Sequence, residues 1–152
     1  MTFLLRPDLA ASIAKRDART PRKSEEDALQ IATADLCRMV LHPSVIAHHS
    51  ANERHGAAAG GKAKAMGQLS GFPDWMLMWT VEFSSRPLRV GFIELKSATG
   101  RMSSEQKDFR ERIDTIGGNA VGAEWALCRS LDEFTATLKA WRVPMKAGVR
   151  AR

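Results

Sequence analysis

The spacing of apolar residues along the chain predicts its secondary structure, beginning with a helix near the N-terminus. Apolar residues recur every three or four positions from Ala28 to Val40. Ser24 stands before them as an expected N-cap, and the three acidic residues that follow it suit the positive end of a helix. His42–Pro43 ends this helix, because the residue before a proline disfavours helical geometry. The segment SVIAHH at residues 44–49 then predicts a short strand.

Two β-rich segments in the middle of the chain predict a hairpin. Trp75–Phe83 and Leu88–Ile93 are rich in aromatic, aliphatic and β-branched residues, and the turn-forming sequence Ser84–Pro87 separates them. The tryptophans of the chain fall in strand or helix patterns. We therefore predict that they belong to the core rather than to a base-stacking surface: Trp75, Trp79, Trp125 and Trp141.

The C-terminal half predicts a helix, a strand and a second helix. Ser103 and Gln106 form a capping-box pattern that opens the first helix, and residues 123–129 read as the strand. A second capping box at Ser130 opens a helix that runs to about Trp141. The complete order is helix, strand, hairpin, helix, strand, helix. It predicts an α/β fold in which helices cover both faces of a central mixed β-sheet.

The hairpin brings two acidic residues and a lysine to one place. If its strands pair about a turn near Ser84, Asp74 falls opposite Glu94, where Cβ atoms lie about 5 Å apart. Lys96 shares the face of Glu94, because side chains alternate along a strand. Two carboxylates at this separation repel each other unless a cation joins them. Their hard oxygen ligands suit magnesium; the alternative is a solvated surface ion pair without a metal.

Length and composition indicate one domain with its own core. The chain has 152 residues, and no apolar run approaches the ~20 residues of a membrane span. Because a signal-peptide pattern is also lacking, we expect a cytoplasmic protein without membrane contact. Cys37 and Cys128 lack metal-ligand spacing and fit free thiols in a reducing compartment, although a disulfide stays open.

Basic charge is concentrated at the two ends of the chain. Residues 1–23 carry six basic and two acidic residues, and residues 142–152 carry four basic residues and no acidic one. The centre, with 13 basic and 15 acidic residues, is nearly neutral. Basic arms of this kind fit contact with nucleic-acid phosphates, or they keep the ends soluble. We expect a basic arm at 1–23, a domain at 24–141 and a basic tail at 142–152.

Several short patterns, taken in chain order, resemble the PD-(D/E)XK nuclease superfamily. Within it, the chain is most similar to the stand-alone form of the virus-type replication–repair nuclease domain, VRR-NUC. Each pattern is weak alone, and the resemblance rests on their order over residues 24–141. The matching pieces are SEEDALQ at 24–30, Asn52–Glu53, Gly67-x-x-x-Gly71-Phe-Pro-Asp74, FIELK at 92–96, Gly100, Ser103-x-x-Gln106 and the turn at 129–133.

The resemblance implies a restriction-endonuclease-like fold and phosphodiester hydrolysis that depends on Mg²⁺ or Mn²⁺. Asp74, Glu94 and the backbone carbonyl of Leu95 would hold the ion, and Lys96 would position the attacking water. Gln106 would support this site, unless it serves only as a capping residue.

Two further acidic residues and a basic segment enter through the same resemblance. Glu53 would bind the metal or its water, unless it is a plain loop residue. Glu26, or Glu25 beside it, would contribute from the first helix, unless both serve only the helix N-terminus. DNA phosphates would be contacted by Arg54, His55, Lys62 and Lys64, whose alternative is a solvated surface. A zinc site formed by Glu53 with the nearby histidines is weakly supported.

The function implied by the resemblance is a metal-dependent, structure-selective DNA endonuclease that acts as a homodimer. A Holliday junction is the expected substrate, since paired active sites suit two symmetric cuts. The alternatives are a repair nuclease directed to flaps or nicks, a sequence-reading restriction-like enzyme, and a DNA-binding module without catalysis on the same fold.

Overall fold

The structure, a computed structural model, describes residues 23–50, 61, 62, 64–82, 84, 85 and 87–147. A four-stranded mixed sheet and the helices packed against it make up this part of the chain. The elements, in chain order, are α1 (Lys23–Val40), β1 (Ile46–His49), β2 (Trp75–Thr80), β3 (Leu88–Leu95), α2 (Ser104–Thr115), a 3₁₀ turn (Gly118–Val121), β4 (Ala123–Cys128) and α3 (Leu131–Ala140). The predicted α/β class and mixed sheet are confirmed.

The sheet has the order β1-β2-β3-β4, with the first three strands antiparallel and β4 parallel to β3. The parallel pair requires a crossover, which α2 provides. In the hairpin, Trp75 pairs with Ile93 and Thr80 pairs with Leu88. This register confirms the predicted turn centre. One residue beyond the Trp75–Ile93 pair, away from the turn, Asp74 lies opposite Glu94.

One face of the sheet carries the main core. Buried side chains alternate along β2 at Trp75, Leu77 and Trp79, and they pack with residues from α1 and α3. The ring of Trp141 stacks on Trp79 at 6.0 Å and covers Gly91, where an added Cβ would lie 3.1 Å from the Trp79 ring. The core assignment of these tryptophans is therefore confirmed. Trp125 differs, since it is only half-buried beneath the Arg110 guanidinium, 5.0 Å from the ring centroid.

The opposite face of the sheet is covered by α2. Phe109 of α2 contacts Phe92 of β3 and Phe72 of the preceding loop, with ring centroids 5.2 and 5.3 Å apart. Even-numbered residues of β3 point to this face, so Glu94 lies on the same side as Phe92. The N-terminus of α2 thus reaches the end of β3 at which Glu94 stands.

The predicted element boundaries are close to the observed ones. Helix α1 begins at Lys23, so Ser24 lies inside the helix rather than at its cap. Strand β2 ends at Thr80, although the Val81 amide still donates to the Pro87 carbonyl at 2.7 Å. Strand β3 continues to Leu95, two residues beyond the predicted end, because β4 pairs with it up to that residue.

The folded part described here continues past residue 141. Val143 is buried in the main core, and Met145 pairs with Leu41 at the end of α1. The Lys146 ammonium donates to the Arg38 carbonyl at 2.6 Å. This segment therefore closes the C-terminal end of α1. Both cysteines are free and buried, and no described helix is long and apolar enough to cross a membrane.

Candidate functional site

Asp74, Glu94 and Lys96 come together where β2 begins and β3 ends. The Lys96 ammonium lies 2.8 Å from Oε1 of Glu94, so these two side chains share one face as strand alternation predicts. The Leu95 amide, between them in sequence, donates to Oδ2 of Asp74 at 2.8 Å. The hairpin register and these contacts place two carboxylates and one ammonium in a single cluster.

Glu94 is the most buried member of the cluster, with 1% of its surface exposed. Its Oε1 accepts hydrogen bonds from Lys96 and Gln106. The Asp74 backbone also interacts with this carboxylate and lowers its pKa, but the buried Oε2 has no hydrogen bond of normal geometry. Burial and the neighbouring charge of Asp74 raise the pKa of Glu94 to about 7. A buried carboxylate oxygen without a well-formed hydrogen bond is costly, and a cation bound beside it would reduce that cost.

Asp74 is held by several groups that leave its carboxylate facing the cleft. Besides the Leu95 amide, a hydrogen bond from Gln30 reaches this carboxylate. Burial nevertheless outweighs these contacts and the charges of Lys96 and His49, so the pKa of Asp74 is raised. Burial is therefore the largest cause of the raised pKa at both carboxyl groups.

Lys96 is charged in this environment. Burial lowers its pKa, but the hydrogen bond to Glu94 and the negative charges of Glu94, Glu26 and Asp74 more than offset burial and raise it. An ammonium with this surrounding can hold a water or a phosphate oxygen by hydrogen bonding, but it cannot act as a neutral base near pH 7.

Gln106 both caps α2 and contacts the carboxylate cluster. Its side-chain Oε1 accepts from the backbone amide of Ser103 at 2.8 Å. The backbone amide of Gln106 donates in turn to Oγ of Ser103 at 3.2 Å, and the two bonds together form the capping box. The same side chain donates through Nε2 to Oε1 of Glu94. The cap therefore orients the carboxamide toward the carboxylate cluster.

Glu26 reaches the site from α1, but through the backbone. Its Oε1 accepts from the Ser97 amide at 3.2 Å, directly after Lys96. The structure thus favours Glu26 over the exposed Glu25 as the contribution of the first helix. Its contact is with the turn that follows β3.

Two residues of the site were not predicted. Gln30 accepts from the Trp75 indole at 3.0 Å while its carboxamide bonds Asp74. The available signal was its position one helical turn after Glu26, on the same face of α1. Arg129 donates to carbonyls of the turn after Lys96, and no spacing in the sequence indicates that contact.

A cleft of about 630 Å³ opens onto this cluster. Carboxylates outnumber ammonium groups among its described walls: Glu26, Asp27, Asp74 and Glu105 against Lys96. His49 of the edge strand β1 also lines it and packs against Trp75, with ring centroids 5.3 Å apart. An acidic cleft of this kind attracts cations and repels a phosphate unless a cation is bound.

The predicted DNA-contacting residues are placed only in part. Lys62 and Lys64 are exposed, and Lys64 lines a second hollow of about 400 Å³ that shares Ser70 and Glu105 with the cleft. Arg54, His55 and Glu53 lie outside the described residues. Of these basic groups, Lys64 therefore stands beside the acidic cleft.

The carboxylates that this cluster offers, Asp74 and Glu94, are fewer ligands than a closed protein cage supplies. Among the described residues, no group of three or more His, Cys, Asp or Glu side chains is arranged to hold a metal. Magnesium needs fewer protein ligands, because it keeps several waters and binds through one or two carboxylates. The buried Oε2 of Glu94 beside Asp74, without a hydrogen bond of normal geometry, fits that mode.

Gly71 is a backbone position on which the site depends. Its φ is +75°, and an added Cβ would overlap the Glu105 carbonyl and lie 2.7 Å from the Gln106 amide nitrogen. Gly67 is a matched control, since its φ of +85° is similar but no atom lies within 4 Å.

We expect Gly71→Ala to lower the free energy of unfolding by about 3 kcal/mol, against about 1 kcal/mol for Gly67→Ala. The difference isolates the collision with α2 from the strain of positive φ. Urea unfolding of both variants measures it. An equal loss of unfolding free energy in the two variants would mean that a side chain at position 71 makes no steric clash with α2.

Comparison of the chain with protein-family models, curated proteins and solved structures finds no match. The class of protein is therefore inferred from the residues of the site and their contacts.

Proposed function

We propose that this protein is a metal-dependent, structure-selective DNA endonuclease of the PD-(D/E)XK type, built on a restriction-endonuclease-like fold. The observation that carries the proposal is the buried Glu94 carboxylate, which stands opposite Asp74 and beside Lys96 and keeps one oxygen without a hydrogen bond of normal geometry. Structural ion pairs seldom leave a buried carboxylate half satisfied. A site that awaits a cation explains this arrangement.

In this proposal each side chain has a separate task. Asp74, Glu94 and the Leu95 carbonyl would hold Mg²⁺ or Mn²⁺, which when bound polarises the scissile phosphate and promotes ionisation of water. The Lys96 ammonium orients the attacking water or a phosphate oxygen. Gln106 and Gln30 fix the two carboxylates through one hydrogen bond each. Glu26 fixes the backbone after Lys96.

The proposed substrate is branched DNA, with a four-way junction as the leading form and a homodimer as the active species. One copy of the carboxylate cluster makes one cut, so two symmetric cuts require a second copy of the chain. Exposed Lys62 and Lys64 and the basic ends of the chain supply sequence-independent contacts with phosphates.

The test is cleavage of a labelled four-way junction, compared with a linear duplex and a 5′ flap. Each substrate is incubated with Mg²⁺, with EDTA and with Asp74→Asn protein, and the oligomeric state is measured by analytical ultracentrifugation. We expect paired symmetric cuts in the junction that require Mg²⁺, are lost with Asp74→Asn, and are equal in junctions with unrelated arm sequences.

The other outcomes separate the alternatives. Cleavage of the flap alone by a monomer would replace the resolvase proposal with a repair nuclease. Cutting only at one arm sequence would indicate a restriction-like enzyme. Tight binding without cleavage in either Mg²⁺ or Mn²⁺ would leave a DNA-binding module and overturn the catalytic proposal.

A further inference from the structure

Arg129 binds the turn that follows Lys96. Its Nη1 donates to the Ser97 carbonyl at 2.6 Å and to the Gly100 carbonyl at 2.8 Å, with the Ala98 carbonyl at 3.5 Å. The backbone amide of Arg129 donates to Oε2 of Glu133 in the first turn of α3. The backbone of Arg129 is therefore held at the end of β4, and its guanidinium contacts the turn at the end of β3.

The turn is held from two sides at the same residue. Glu26 accepts the Ser97 amide, and Arg129 donates to the Ser97 carbonyl. The turn is also tight, because a Cβ at Gly100 would lie 2.9 Å from Oε1 of Glu26 and 3.2 Å from Cβ of Lys96. A shift of the turn would therefore move the backbone of Lys96, whose amide donates to the Cys128 carbonyl at 3.0 Å.

Arg129 is not among the residues that line the cleft. Its Nη1 donates hydrogen bonds to backbone carbonyls, and a planar group with several donors is suited to bind more than one of them. A lysine at this position would present its donors from one point on a shorter side chain.

We propose that Arg129 is a positioning residue that locks the Ser97–Gly100 turn and thereby holds Lys96 against Glu94 for catalysis. This inference rests on the proposed nuclease function. It assigns to Arg129 an effect on the catalytic step rather than on DNA binding. Partners that orient groups of an active site commonly change activity by about 10- to 100-fold when they are removed.

The experiment combines single-turnover cleavage with hydrogen exchange. For Arg129→Ala we expect the cleavage rate at saturating protein to fall by about 10- to 100-fold while DNA affinity stays nearly the same. Added guanidinium at sub-denaturing concentration should restore part of the rate in Arg129→Ala but none in Lys96→Met. Arg129→Lys should lie between the wild type and Arg129→Ala.

Hydrogen exchange of the free protein gives a readout that does not depend on cleavage. The amides of Ser97 and Gly100 are both hydrogen-bonded, and we expect both to exchange faster in Arg129→Ala. Arg101→Ala is the matched control: it removes an exposed arginine one residue beyond the turn, and its cleavage rate and exchange should match the wild type.

Three results would overturn the proposal: unchanged rate and exchange in Arg129→Ala, an equal loss of rate in Arg101→Ala, or a loss confined to DNA affinity. If Arg129→Ala does not fold, Arg129→Lys and Arg129→Gln are judged by the same criteria. If the wild-type protein does not cleave DNA at all, the nuclease proposal fails and the catalytic role of Arg129 fails with it. The exchange data then still show whether Arg129 locks the turn.

Discussion

Replacement of Lys96 by methionine is expected to lower the rate of junction cleavage by about 10²- to 10³-fold, the size of effect seen when a charged or polar group aimed at the reacting atoms is removed. Methionine keeps most of the length and apolar volume of lysine, so the fold should survive. The change removes the ammonium that lies 2.8 Å from Glu94 and faces the cleft.

Two consequences of Lys96→Met can be distinguished by their pH dependence. Loss of the group that orients water or phosphate lowers the rate at every pH. Loss of the positive charge beside Glu94 should also raise the pKa of that carboxyl further, because the Lys96 hydrogen bond and charge now lower it. The remaining activity should therefore need a higher pH than wild-type activity does. A rate profile from about pH 6 to pH 9 measures both effects.

Lys107→Met is the matched control for this variant. Lys107 is an exposed residue of α2, one position after Gln106, and it does not line the cleft. We expect its cleavage rate to stay within about threefold of the wild type. A Lys96→Met protein that cuts as fast as Lys107→Met would show that the ammonium has no part in the reaction.

The hairpin and its cluster could be predicted from the sequence because their physical basis is local. Strand alternation and a turn centred near Ser84 fix which residues face each other, so Asp74 opposite Glu94 follows from counting. The observed register obeys this count. Capping patterns are equally local, and Ser103 with Gln106 marked the start of α2 within one residue.

The contacts that depend on tertiary packing could not be predicted in this way. Gln30 reaches Asp74 only because α1 packs across the end of β2, and Arg129 reaches the turn only because β4 pairs in parallel with β3. The dual role of Gln106 needed the position of α2 on the opposite face. The sequence indicated a cap or a site residue, and in the structure one carboxamide both caps α2 and donates to Glu94.

Replacement of Glu94 by glutamine is expected to abolish cleavage and yet stabilise the metal-free protein at alkaline pH. The pKa of Glu94 is raised from 4.5 to about 7 in the folded state. Between these values the folded protein binds more protons than the unfolded chain, so its stability is greatest below the lower value and falls as pH rises through the upper one. The loss amounts to about 3 kcal/mol for this shift, and the raised pKa of Asp74 adds in the same direction.

Glutamine is isosteric with glutamate and has no charge to lose. Its carboxamide oxygen can accept from Lys96 and Gln106 as Oε1 does now, and the like charge that repels Asp74 is removed. The free energy of unfolding in EDTA should therefore decline less between about pH 5 and pH 8 in Glu94→Gln than in the wild type. Urea unfolding at several pH values measures the difference, and Glu111→Gln on the exposed face of α2 should follow the wild-type curve.

Divalent ions provide the decisive comparison for the same variant. A ligand that binds only the folded state raises stability with its concentration, so Mg²⁺ should stabilise the wild-type protein at alkaline pH. Glu94→Gln should gain little, because half of the charge that attracts the ion is gone. If Glu94→Gln is instead less stable than the wild type in EDTA, the carboxylate is a satisfied structural group. The buried Oε2 would then not be a sign of a cation site, and the case for a metal-dependent nuclease would lose its main support.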